Sequence, residues 1–156
     1  MLTRLAAMGA ALGVVALTAG SMGPATGNGD HHGHHGSTIR VLSTNTEEDN
    51  VDVGDPGLSL GDEFVFTSNL TRHGKSVGHT GVVCTVTSVA REETQCAGTA
   101  WFDRGGQIAI QGLVAGERQV FSFPITGGTG AFEGADGTLV VKEVSDNQEL
   151  LTFFLD

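Results

Sequence analysis

From Thr38 to Asp156 the chain carries no apolar period of 3.6 residues longer than two turns, which argues against amphipathic helices. Short runs of β-branched and aromatic residues stand instead at Thr38–Thr44, Asp62–Leu70, Gly78–Val89 and Thr94–Phe102. Four more follow at Gln107–Val114, Gln119–Ile125, Gly137–Val144 and Leu150–Leu155. Turn residues separate them: Asp55-Pro56-Gly57, His73-Gly74-Lys75, Arg91–Glu93, Arg104-Gly105-Gly106, Ala115-Gly116-Glu117, Gly127–Gly137 and Asp146-Asn147. Short strands at this spacing predict an all-β sandwich or barrel, and the short connections favour antiparallel neighbours. Gly is 24 of 156 residues, but Pro is only 3 and no G-x-y period exists, so a collagen-like chain is excluded.

The predicted strands carry apolar residues on both faces. Phe64 and Phe66 share one face with Val65 opposite, and Phe121, Phe123 and Ile125 share another with Val120 opposite. One such face must fill or line an interior, and a barrel of about eight strands is wide enough for one small ligand.

The first 25 residues hold one base, Arg4, and no acid. An apolar run from Leu5 to Ala19 is shorter than the roughly 20 residues a spanning helix needs. Small residues follow it, with possible cleavage sites at Ala19-Gly20-Ser21 or Gly23-Pro24-Ala25. The pattern predicts a secretory signal peptide over 1–25 and an exported protein with no membrane anchor after cleavage. Residues 26–37 read as a flexible His/Gly linker. Its His31, His32, His34 and His35 are a weak option for Zn, Cu or Ni, but no metal site is assigned. The folded domain is then 38–156.

Eight Lys and Arg against 18 Asp and Glu give a formal net charge of −10. A phosphate-binding face needs clustered bases, so nucleic acid is an unsuitable partner. The GGTG of residues 127–130 has no helix or Lys-Ser/Thr after it, which removes a phosphate cradle. His73, His79 and the acidic run Glu47-Glu48-Asp49 read as solvated or structural groups. No motif calls for a cofactor.

Cys84 and Cys96 flank the turn Arg91–Glu93. A hairpin centred near Ala90 sets Cys84 opposite Cys96, Val86 opposite Thr94 and Val82 opposite Gly98, within disulfide reach. Export favours the bridge; the alternative is two buried thiols.

The segment ITGGTGAFEGADG, Ile125 to Gly137, resembles that of plant allene oxide cyclases and, more loosely, the GGTG-x-F segment of dirigent proteins. Gly61-Asp62 with Phe66-Thr67 and Leu70, then Gly78-x-Thr80 with Cys84, Gly106-x-Ile108 with Gln111-Gly112, and Phe153-Phe154-Leu155 fall in the family's order. The resemblance covers about residues 61–156 and implies an eight-stranded antiparallel β-barrel, with homo-oligomers because family members form trimers. It also implies a cofactor-free cyclase or isomerase acting on a small apolar unsaturated, lipid- or polyketide-like molecule in the cavity. The alternative is a non-catalytic barrel that carries such a ligand. Mapped by this resemblance, the cavity cysteine is Cys84, the first-strand asparagine is Asn45, and the F-T-N asparagine becomes Ser68 with Asn69 beside it. Asn45 and Ser68 are the implied catalytic pair. Phe66, Cys84, Cys96 and Val114 line the cavity, Val114 standing at the family's tyrosine. The family's first-strand glutamate falls near Ser43, and Asp136 replaces the dirigent arginine after the loop. Without that glutamate, a site of neutral donors with a flat pH profile is expected. Phe132 is expected as a buried anchor of the glycine-rich loop.

Overall fold

The structure is a computed structural model, and it describes residues 36–54 and 56–156. The signal-peptide reading of 1–25, most of the linker and the four linker histidines lie outside those residues. Eight strands, β1 Ser37–Val51, β2 Glu63–Arg72, β3 Lys75–Ser88, β4 Glu93–Phe102, β5 Gly106–Ala115, β6 Val120–Gly128, β7 Gly137–Ser145 and β8 Gln148–Leu155, form a closed barrel in sequence order. Every neighbouring pair is antiparallel, including β1 with β8, and the β5–β6 ladder is the shortest, confined to Ile108–Ile110 with Ile125–Gly128. Of the sandwich or barrel that the strand spacing allows, the fold is the antiparallel barrel implied by the family resemblance. Among the described residues no helix is long and apolar enough to cross a membrane.

Alternation along the strands divides inside from outside. Val41, Leu70, Ile108, Leu139 and Phe153 point inward and are buried, while Trp101, Leu113 and Phe154 on the opposite parity are exposed. The connections β2–β3, β4–β5 and β6–β7 gather at one end, which is plugged by aromatic packing. Phe102 meets Phe153 edge-on at 5.8 Å and Phe132 at 5.2 Å between ring centres. Phe132 is half-buried rather than buried, because it caps this plug from the short 3-10 turn Gly130–Phe132. Gly106, at φ +115°, brings the β4–β5 turn against the Thr129 carbonyl, where a Cβ would have no room. This contact fastens the glycine-rich loop to the closed end.

The strands run longer than their apolar runs, and two of the extensions bear on the site. β1 continues through the acidic run to Val51 because Glu47–Val51 pair with Glu63–Thr67 of β2. The register slips between Asn45 and Glu47, leaving Thr46 as the extra residue of a bulge, with its hydroxyl donating to the Thr67 carbonyl at 3.2 Å. β8 begins at Gln148 rather than Leu150. Past β1, the chain folds back over Asp62, whose carboxylate accepts from the Val53 and Ser59 amides at 2.9 and 2.6 Å. Those backbone bonds hold its pKa below the ordinary value.

Cys84 and Cys96 form a disulfide and are directly paired. Val82 faces Gly98 and Val86 faces Thr94, the register read from the sequence. Replacing both cysteines by alanine should lower stability by roughly 2–3 kcal/mol, the chain-entropy value for a loop of this length. Urea unfolding of the double variant measures it; a loss under about 0.5 kcal/mol would show that the bridge does not restrain the unfolded chain.

Candidate functional site

Above the aromatic plug a cavity of about 310 Å³ opens. Gly98 on β4 helps to create it. A Cβ there would come within 3.0 Å of Val82 and 3.2 Å of Ile110. Phe66, Val82, Ile110, Phe123, Val141 and the disulfide supply most of the wall. Its base is fully buried, with Ile108 at 0% and Phe153 at 1% exposure. Phe64, Thr94, Val114, Phe121 and Glu149 near the other end are only half-buried, so that end is the mouth. It is the end formed by the β1–β2, β3–β4, β5–β6 and β7–β8 connections.

The structure brings Phe66, Cys84, Cys96 and Val114 into this wall. Phe64, however, lies directly opposite Cys84, and Phe66 lies one step deeper, opposite Val82. The resemblance names Phe66 and not Phe64 as a lining residue, and the slip between Leu70 and Thr71 that brings Phe64 to Cys84 has no signal in the sequence. Asn45 and Ser68 are also brought together, as cross-strand partners on β1 and β2. Ser68 is buried, and its hydroxyl donates to Asn45 Oδ1 at 2.7 Å. The two side chains thus satisfy each other beside the β1 bulge, and neither belongs to the cavity lining.

The polar groups that do line the cavity are Ser43, Thr80, Thr94, Thr99 and Glu149. Ser43 and Thr80 are 2% and 6% exposed. Glu149 was missed from the sequence because the last strand was started one residue after it. The available signal was parity: Glu149, Leu151 and Phe153 alternate on one face of β8. In the barrel Glu149 is directly opposite Ser43, the position near which the family's glutamate is lacking. A carboxyl thus enters the wall from the neighbouring strand.

Glu149 is the single ionisable side chain among the described residues that line this cavity. Burial raises its pKa above the ordinary 4.5, and the carboxylate of Glu143, its partner on β7, raises it further. The expectation of a site without a perturbed acid is therefore corrected. Among the described residues no group of three or more His, Cys, Asp or Glu is arranged to hold a metal ion.

A closed antiparallel barrel around an apolar chamber with one half-buried carboxyl defines a class of hollow β-barrel proteins. Residues 38–155 match the family described as allene oxide cyclase barrel like domain, and the chain belongs to that family. A solved structure of a pyocyanin demethylase is 30% identical with a TM-score of 0.70, over 77% of this chain and 100% of that one. A pterocarpan synthase dirigent protein is 22% identical with a TM-score of 0.64, over 77% and 86% of the two chains. An exo-specific intermolecular Diels-Alderase is 16% identical with a TM-score of 0.62, over 77% and 97%. The last two share the fold. None of the curated proteins matches this sequence.

Because folding raises the Glu149 pKa, the protonated form is favoured in the folded state. Its contribution is fully present below the unfolded value and is lost as pH rises through the folded one. The variant Glu149→Gln should therefore be more stable than the natural chain at pH 8, with the difference vanishing near pH 4. Urea midpoints at the two pH values test this; an equal difference at both would mean that Glu149 ionises as freely folded as unfolded.

Proposed function

We propose that this protein is an exported, cofactor-free isomerase or cyclase that rearranges a small, apolar, unsaturated molecule held in the barrel. The observation that carries the reading is one carboxyl, Glu149, in a cavity otherwise made of hydrocarbon and a few hydroxyls. Such a chamber restricts a flexible substrate to a reactive conformer and excludes water, which removes much of the entropic barrier. A carboxylate whose pKa is raised is a stronger base than one in water. In the proposed step Glu149 takes a proton from one carbon of the substrate and returns it to another. The Ser43 and Thr80 hydroxyls hold the substrate's polar atom. No atom is gained or lost, so no co-reactant is needed.

Membership of a family whose structural relatives include a dirigent protein and a Diels-Alderase supports a reaction governed by conformation. The relative named pyocyanin demethylase supports a small molecule as substrate. The Cys84–Cys96 disulfide suits the oxidising compartment to which a cleaved signal peptide over 1–25 would deliver the chain. In this reading Asn45 and Ser68 are positioning residues, which hold the β1 bulge through their mutual hydrogen bond.

A second reading, a carrier without chemistry, is favoured by that same hydrogen bond, since it occupies the two groups the family resemblance assigns to catalysis. The two readings separate on a panel of polyene epoxides and isomerisable polyenes, scored by the chirality of the product. Catalysis predicts one enantiomer in excess. It also predicts a rate that rises as pH passes upward through the Glu149 pKa, and a loss of roughly 10²–10⁴-fold in Glu149→Gln with binding retained, as expected for removal of a general base. Racemic product at the uncatalysed rate, with measurable binding, would establish the carrier.

A further inference from the structure

The barrel is electrostatically lopsided along its axis. At the mouth, the exposed end of β1 carries Glu47, Glu48 and Asp49, and β2 opens with Glu63. The β3–β4 and β5–β6 connections add Glu92 and Glu117, and β4 opens with Glu93. Glu143 and Asp146 flank the β7–β8 turn. Among the described residues of that end, only Arg91, Arg118 and Lys142 oppose them. The plugged end is balanced: Asp103, Glu133, Asp136 and Asp156 stand with Arg40, Arg72, Lys75 and Arg104.

Each rim carboxylate alone is screened within about 8 Å at physiological ionic strength. Arranged around one opening with low-dielectric walls, such charges sum, and the opening focuses their field. Behind them, at the inner side of the mouth, stands Glu149, whose influential neighbours are apolar burial and another carboxylate. Phe64 and Phe121 line the same cavity and are half-buried like Glu149, and aromatic rings attract a positive charge.

We infer that the molecule this cavity takes is a lipophilic cation: an apolar, unsaturated body bearing one positively charged nitrogen, with the charge set against Glu149 and the body against Phe66, Ile110 and Phe123. The inference rests on the proposed binding of a small apolar molecule in the barrel and specifies its chemical class. A cation at Glu149 offsets both influences that make its ionisation costly, the burial and the repulsion from Glu143. It also keeps Glu149 ionised, as the proposed base requires, and acidifies the C–H bonds next to the charged nitrogen. A fatty-acid carboxylate would meet the opposite field at the mouth and an unpaired like charge inside.

Three probes built on one naphthalene body test the inference, with a trimethylammoniomethyl, a hydroxymethyl or a carboxylate substituent. They are titrated calorimetrically into the full chain, into Glu149→Gln and into the rim variant Glu143→Gln, at low and high salt. The ammonium probe should bind at least tenfold more tightly than the alcohol, and the carboxylate most weakly. Glu149→Gln should remove most of that preference while leaving the alcohol unchanged, and Glu143→Gln or added salt should reduce it by a few-fold. An alcohol or carboxylate that binds as tightly as the ammonium probe overturns the cation assignment but leaves the cavity reading standing. A cation preference that survives in Glu149→Gln and at high salt overturns it too. If none of the three binds, the cavity reading itself falls.

Discussion

The pairing of β1 with β8 is the constraint on which the rest of the molecule depends. It turns an open sheet of eight strands into a closed one, and closure forces alternate side chains of every strand into a shared interior. It runs in register from Ser37–Leu155 to Thr44–Gln148, across the longest sequence separation in the fold. A slip of one residue would exchange the inward and outward faces of β8. Glu149 and Phe153 would then leave the interior, and Leu150 and Phe154 would enter it. The same register that buries Phe153 in the plug sets Glu149 opposite Ser43.

Interior volume is distributed unevenly by residue size. Aromatic rings from β4, β8 and the Gly130–Phe132 turn close one end. Toward the mouth, Gly98, Ala100, Ser43 and the disulfide are small. The empty space follows from those residues and from the mouth-side halves of β5 and β6, whose pairing ends at Ile110–Ile125. The disulfide serves both requirements, because it ties β3 to β4 and presents a smooth apolar surface that neither ionises nor hydrogen-bonds strongly.

What could be read from the sequence follows the range of the interaction involved. The Cys84–Cys96 register is set by a tight turn between adjacent strands, and local symmetry about Ala90 was enough to find it. The β2–β3 offset was not accessible in this way, because a slip between Leu70 and Thr71 shifts every later pair by one residue, so that Cys84 meets Phe64 rather than Glu63. The outer half of β1 was hidden by its composition. Glu47–Asp49 have poor strand propensity, and they are extended because β2 supplies their partners. Glu149 escaped for a related reason: an acid next to a turn reads as solvent-facing until the closure of the barrel shows which parity of β8 is inside. The missing glutamate of the first strand was visible as an absence, whereas its replacement from β8 is a property of the closed sheet alone.

A carboxyl that becomes harder to ionise on folding is a cost to the empty protein at neutral pH. A glutamine of nearly the same shape would avoid that cost, and the surrounding wall makes no structural demand for a charge. Groups that burden stability and line a cavity are characteristic of functional sites, where the cost is offset only when the proper ligand is bound. The acidic rim follows the same logic from outside. Repulsion among Glu47, Glu48, Asp49, Glu63 and Glu143 gives nothing to the folded state, but it lowers the free energy of any cation that approaches the opening. Glu149 and the rim therefore point to the same counter-charge from two positions, one inside the barrel and one at its entrance.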